Sequence, residues 1–212
     1  SLVRHIATGG MAEIWLADQV GPGGFSKQLV IKRILEHNAR DTHFIQMFLD
    51  EARLSLYLNH ANIVQTFDIG MSADAYFIVM EWVEGLDFGR WLGLSVGGGG
   101  QSEWVPVAQV AMDTLRALGA AHNRYDIYGA PSPVFHRDVT PSNIMLGDFG
   151  EVYVLDWGLA RFDAERPQED GAGAGLGSDD SEASGYRPAA AFALQTLPGA
   201  LLGTPGYMAP EQ

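Results

Sequence analysis

The stretch Pro133–Ala160 reads PVFHRDVTPSNIMLGDFGEVYVLDWGLA. It carries His136, Arg137 and Asp138, with Asn143 five positions after the aspartate and Asp156-Trp157-Gly158 thirteen after that. Two short apolar runs, Ile144–Leu146 and Val152–Leu155, flank Gly147-Asp148-Phe149-Gly150. Apolar runs broken by a glycine-bounded turn predict a hairpin with a loop at either end. That layout hangs two carboxylates and one carboxamide from the ends of a small rigid unit. Oxygen donors of this kind suit a hard cation, and magnesium commonly takes one or two carboxylates together with substrate phosphates. A carboxylate not engaged by the metal can take a proton from a nucleophile.

The string resembles the catalytic core of eukaryotic-like (Hanks-type) bacterial serine/threonine protein kinases, whose signatures are H-R-D, a later Asn, and D-F-G. The resemblance implies an α+β, two-lobed fold. Residues 1–83 would form an N-terminal five-stranded antiparallel sheet with one helix, and residues 84–212 a mainly helical, incomplete C-terminal lobe. It also implies ATP and Mg²⁺ as cofactors, with Asp138 as the base for the substrate hydroxyl and Asn143 and Asp156 as metal ligands. His136 and Arg137 are structural in this scheme. Arg137 is also a candidate anchor for a phosphate, because its fork matches phosphate oxygens.

Towards the N-terminus, residues 2–33 alternate and carry glycine punctuation, as a small antiparallel sheet would. Ile6-Ala7-Thr8-Gly9-Gly10-Met11-Ala12-Glu13-Ile14 resembles the glycine-rich loop that offers backbone N–H groups to ATP phosphates. Only the middle glycine, Gly9, is kept; Ala7 and Ala12 lose easy access to positive φ. Leu29-Val30-Ile31-Lys32 resembles the strand whose lysine holds the α- and β-phosphates. A lysine in an apolar strand is costly to bury alone, and Glu51 is its expected partner. Residues 41–58 repeat with helical period, Ile45, Phe48, Leu49, Ala52 and Leu56 forming a stripe with Glu51 at its edge. Val64–Ile69 and Tyr76–Trp82 read as two further strands. By resemblance, Met80 guards the back of the adenine pocket, Glu81-Trp82-Val83 form the connector, and Asp87 meets the ribose. Ile6, Ile14, Ile31 and Met145 would supply apolar walls. Leu86–Leu94 reads as a short helix and Gly97–Gly100 as a flexible stretch. Val107, Val110, Ala111, Leu115, Leu118 and His122 form a second helical stripe, with Pro106 in its first turn.

Three residues depart from the family pattern. Thr140 stands where such kinases usually carry a lysine, which removes a cation from the γ-phosphate. Trp157 replaces the phenylalanine of D-F-G, and Ser55 replaces a larger apolar residue. These last two are read as reciprocal, the indole filling volume that Ser55 leaves, because balanced volume swaps are tolerated best. Residues 163–196 are acidic and rich in Gly and Ala, a composition that predicts disorder. Gly203–Glu211 reads GTPGYMAPE and resembles the end of a Ser/Thr-kinase activation segment. Thr204 is expected to face Asp138. Thr196 and Thr204 are phosphosite candidates, as are Ser181 and Ser184, and a phosphate on Thr196 would order its loop on Arg137. The chain stops at Gln212, before the arginine with which Glu211 would pair by resemblance.

The balance of 13 Lys+Arg against 26 Asp+Glu gives a formal charge of -13, which argues against a nucleic-acid or anionic-membrane surface. Cys is absent, which excludes disulfides and thiolate metal sites and fits a reducing compartment. No apolar run reaches the ~18 residues of a membrane span. The expected setting is cytoplasmic, with any membrane anchor in a region not present here. Expected partners are ATP, proteins bearing Ser or Thr, and a second copy for trans-autophosphorylation. The alternative is a pseudokinase scaffold that holds nucleotide without transfer, which Ala7, Ala12 and Thr140 favour. A small-molecule phosphotransferase would share the lysine and aspartates but has no use for GTPGYMAPE.

Overall fold

The computed structural model describes residues 1–97, 104–162 and 203–209. The 163–196 insert with Ser181, Ser184 and Thr196, most of the glycine run after 97, and Glu211 lie outside the described residues.

Strands β1 (Leu2–Thr8), β2 (Ala12–Val20), β3 (Ser26–Ile34), β4 (Thr66–Ser72) and β5 (Ala75–Glu81) form one antiparallel sheet in the order β1-β2-β3-β5-β4. This is the five-stranded sheet the alternation predicts. The helix α1 (Thr42–Tyr57) starts at Asp41, whose carboxylate accepts the His43 N–H at 2.8 Å. Phe48 and Ala52 of α1 pack with Ala12, Ile34 and Ile78 into the core of this half. Burying a side chain the size of Phe48 contributes roughly 1.5–3 kcal/mol.

The face that α1 buries differs from the expected stripe. It comprises Phe48, Glu51, Ala52, Leu54 and Ser55, whereas Leu56 is exposed. Glu51 lies inside this face rather than at its edge, because α1 also lines a cleft where a cation meets the carboxylate. Side chains alternate along a strand, so Val30 and Lys32 share the cleft side of β3. Ile31 points to the outer face of the sheet, beside Trp15, Phe77 and Val79. The expectation that Ile31 supplies a wall of the cleft is corrected accordingly: Val30 lines it instead.

The second half begins with β6 (Gly85–Asp87), α2 (Phe88–Gly97) and α3 (Trp104–His122). Residues Leu86 and Asp87, expected to be helical, belong instead to β6, which pairs with the hairpin. Gly85 is required there, because a Cβ would fall 1.9 Å from the Leu146 carbonyl oxygen. The buried residues of α3 are Val110, Asp113, Thr114, Ala117 and Ala121, while Leu115 of the expected stripe is exposed. Apolar residues occupy both sides of α3, and the small pair Ala117 and Ala121 takes the tightly packed one.

The short strand β7 (Val134–Phe135) precedes the catalytic-type loop. The hairpin follows as β8 (Ile144–Gly147) and β9 (Val152–Val154), with Ile144 opposite Val154 and Leu146 opposite Val152. Its turn uses Gly150 at φ 90°, a left-handed conformation that favours glycine. The segment after α1 is stitched to β9. Val154 N–H donates to Asn62 O at 2.8 Å, Val64 N–H donates to Val154 O at 3.3 Å, and Asn62 Nδ2 donates to Val152 O at 2.9 Å. A last strand, β10 (Arg161–Phe162), pairs with β7.

Candidate active site

Lys32 on β3 meets Glu51 on α1 through its ammonium and Glu51 Oε1. The same ammonium donates to Asp156 Oδ1 at 3.1 Å, across 124 positions of sequence. Lys32 and Glu51 are buried, while the Asp156 side chain is half-exposed. Burial opposes the charge of Lys32, but Glu51 and then Asp156 outweigh it and hold the ammonium above its ordinary pKa. Burial pushes the Glu51 carboxyl up, with Lys32 pulling against it. For Asp156 burial would also raise the pKa. The charge and hydrogen bond of Lys32 and the N–H of Gly158 prevail and bring it below the ordinary value. Lys32 is therefore the secured charge of the group, and Asp156 stays ionised. These three side chains line a cleft of about 260 Å³ between the sheet and the hairpin.

The second cluster is built on the loop before β8. His136 Nε2 donates to Leu155 O at 2.8 Å, and Nδ1 accepts the Asp138 N–H at 3.3 Å. Only the neutral tautomer with its proton on Nε2 makes both contacts. Burial lowers the His136 pKa, in keeping with that form. Asn143 Nδ2 donates to Asp138 O at 2.9 Å and to Oδ2 at 3.2 Å. Asp138 Oδ1 accepts from Thr204, from its N–H at 2.9 Å and its hydroxyl at 2.8 Å. Leu155 N–H donates to Asn143 O at 2.8 Å, which fixes the register between this loop and the one after β9. Arg137 and Asp156 both sit at positive φ, 62° and 55°. Such backbone costs roughly 1–3 kcal/mol per residue and persists where surrounding contacts enforce it. At Arg137 one enforcing contact is the Nε donation to Leu159 O at 2.6 Å. Trp157 is buried against His136, ring centroids 4.6 Å apart, and shares a core with Leu54 of α1 and Leu58 just beyond its end.

A lysine charge-paired to a helix carboxylate, a second carboxylate opposite, and a separate Asp–Asn pair make a constellation suited to phosphoryl groups. The protein kinase domain model matches residues 3–212, nearly the whole chain. The chain belongs to the protein kinase domain family. It is 44% identical over 163 residues to the tyrosine-protein kinase MasK of Myxococcus xanthus, covering 76% of this chain and 25% of that protein. It is 30% identical over 220 residues to the serine/threonine-protein kinase PknD of Chlamydia trachomatis, covering 99% of this chain and 22% of that protein. It is also 30% identical over 216 residues to the serine/threonine-protein kinase Pkn1 of Myxococcus xanthus, covering 100% of this chain and 25% of that protein. The kinase domain thus spans about a quarter of the length of these curated relatives.

Of the residues expected at the nucleotide, Ile6, Ile14, Lys32, Met80, Glu81, Val83 and Met145 line the cleft, as do Glu51, Asn143 and Asp156. Ala7, Thr8, Gly9, Gly10, Met11 and Ala12 do not. Ala12 is buried in the core of the sheet half with Met11 packed on it, and Gly10 O accepts from Asn38 Nδ2 at 3.1 Å. The far side of this loop is thereby anchored to the body of the kinase domain. Asp87 has a structural use in addition to its expected one. Its Oδ1 accepts the Arg90 N–H at 2.8 Å and caps α2, and the residue does not line the cleft itself. Thr140 is buried, its hydroxyl 2.8 Å from that of Ser142, and it directs no charge into the cleft. Sequence reasoning missed Val30, Val64, Thr66 and Ser142 as cleft residues. Val30 was findable, since it lies two positions from Lys32 on the same strand face.

Proposed function

We propose that this domain transfers the γ-phosphoryl group of Mg²⁺-bound ATP to Ser or Thr hydroxyls of proteins. The observation that carries the reading is Lys32, held charged between Glu51 and Asp156 at the wall of the cleft. In this reading the apolar cleft between Ile14, Val30 and Met145 takes the adenine, and Lys32 takes the α- and β-phosphates. Asp156, kept ionised, and the carboxamide oxygen of Asn143 fit a hard cation, the Asn143 amide nitrogen being spent on Asp138. When bound, Mg²⁺ neutralises charge that develops on the transferring phosphoryl. Asp138 takes the proton of the attacking hydroxyl. The contact between Asp138 and the hydroxyl of Thr204 supports it, because an alcohol already sits where an acceptor would.

The division into a sheet lobe over 1–83 and a helical lobe over 84–212 belongs to the same proposal, as do trans-autophosphorylation between two copies and Thr196 as a regulatory phosphosite. So does a cytoplasmic setting; among the described residues no helix is long and apolar enough to cross a membrane. A second reading has tyrosine as the acceptor. It is favoured by the identity to MasK and by Thr140 in place of lysine. Radiolabel transfer from ATP to a mixed protein substrate, followed by phosphoamino-acid analysis, separates the two. Label on Ser and Thr is expected for the wild type, and Asp138→Asn reduces it by roughly 10²–10⁴-fold. Label from neither protein would leave the pseudokinase alternative standing, and equal transfer by both would remove Asp138 as the base.

A further inference from the structure

Lys32 is the single cation among the described residues that line the cleft, against the carboxylates of Glu51, Glu81 and Asp156. A triphosphate brought there needs further donors, and they have to be neutral. Asn143 lines the cleft too, but its amide N–H groups go to Asp138 O and Oδ2. Of the cleft hydroxyls, Ser55 and Thr66 belong to α1 and β4, whereas Ser142 belongs to the loop that carries Asp138 and Asn143. Ser142 is exposed and Thr140 is buried, with their hydroxyl oxygens 2.8 Å apart. A buried O–H left without an acceptor is costlier than an exposed one, and Ser142 Oγ is the acceptor Thr140 has. Thr140 therefore donates, Ser142 accepts, and the Ser142 proton is left for the cleft. Accepting one hydrogen bond strengthens the next donation in the chain. The turn itself is fixed, because Asn143 N–H donates to Thr140 O at 3.0 Å and Ile144 N–H donates to Pro141 O.

We propose that the Ser142 hydroxyl, polarised by Thr140, donates to the γ-phosphoryl oxygens of the bound nucleotide; the inference rests on the kinase reading above. The acceptor is anionic, so this hydrogen bond is stronger than one between neutral groups. A donor already held in place stabilises charge on the phosphoryl group without reorganising when it develops. Ser142 touches the transferring group and is a catalytic residue. Thr140 acts through it and is a positioning residue.

The test measures the calorimetric affinity of the full chain for Mg²⁺–ADP and for Mg²⁺–AMP-PNP, whose γ-phosphoryl is not transferred, beside radiolabel transfer from ATP to a Ser/Thr peptide. Ser142→Ala should lower transfer by roughly tenfold, and AMP-PNP affinity with it, while ADP affinity stays unchanged. Ser142→Thr should keep all three. Thr140→Val, which keeps the buried volume, should give a smaller loss in the same readouts. Ser142→Ala also strands the buried Thr140 proton and should lower the urea midpoint. Adding Thr140→Val should restore the midpoint and leave transfer low. Recovery of transfer together with the midpoint would mark a structural role and overturn the inference. An equal loss of ADP affinity would overturn it too, because the hydroxyl would then serve the ribose or the inner phosphates. Unchanged transfer and affinities in Ser142→Ala would overturn it and leave the kinase reading intact. A folded wild-type chain that binds neither nucleotide would overturn both.

Discussion

Lys32, Glu51 and Asp156 are held together by charge, with the first two buried, whereas Asp138, Asn143 and Thr204 are held by hydrogen bonds from neutral donors to one partly buried carboxylate. The first group cannot lose one member quietly, because a buried ion without its partner is far costlier than a surface one. The second can, because water replaces a neutral donor at small cost. One cluster is thus part of what keeps the domain folded, and the other adds little to stability and, in the proposed reading, serves the reaction.

Lys32→Met puts this contrast under the greatest strain. It leaves Glu51 buried and uncompensated, and it should cost about 3–5 kcal/mol in urea unfolding at neutral pH. Adding Glu51→Leu should recover most of that loss while phosphoryl transfer stays absent. Asp138→Asn, by contrast, should abolish transfer and leave the urea midpoint nearly unmoved. If the two substitutions destabilised the domain equally, the distinction between the clusters would collapse.

The apolar tie between them comes next. Ser55 and Trp157 are both buried and both line the cleft. Ser55→Leu should overpack this region by about 1–3 kcal/mol, and adding Trp157→Phe should relieve it. Trp157→Phe alone should shift stability less than volume suggests. The indole N–H is buried without a hydrogen-bond partner among the described residues, and losing it offsets part of the cavity cost. Additive effects in the double-mutant cycle would show that the two positions are not reciprocal.

Acid should distinguish the clusters more gently. Burial lowers the His136 pKa in the folded chain. The unfolded chain therefore binds the extra proton first, and stability declines as pH falls below about 6.5. A proton on Nδ1 also faces the Asp138 N–H, so the catalytic-type loop loosens first. Thermal melts between neutral and mildly acidic pH should show the decline, and His136→Asn should flatten it. The smallest effect is expected far from both clusters: Asp41→Ala removes the cap of α1 and should cost about 1 kcal/mol.

The reading from sequence succeeded where chemistry is written in consecutive residues. His136 to Asp156 lie on one hairpin and its loops, so spacing alone brings them near one another. It failed where an answer depends on which way an element is turned. Ile31 and Val30 are equally apolar, and only the side of β3 that carries Lys32 separates wall from outer face. On α3 large apolar residues lie on both sides, so periodicity could not choose between Leu115 and the Ala117–Ala121 face. The capping use of Asp87 depended on where α2 starts, and that boundary was not legible. The five-stranded sheet was legible because turns and alternation are local. The core position of Ala12 was not, since it depends on α1 arriving from later in the chain.

The stitch between Asn62–Val64 and β9 gives α1 an unusual mechanical place. One end of the helix is moored to the floor that bears Asp156, while its flank lies against the sheet that forms the roof. Any rocking of roof over floor would turn about α1 as about an axle. Lys32 and Glu51 lie close to that axle and would travel little, while the rim near Ile6 and Val83 would swing widest. An opening of this kind would part Lys32 from Asp156 and leave the Lys32–Glu51 contact fastened.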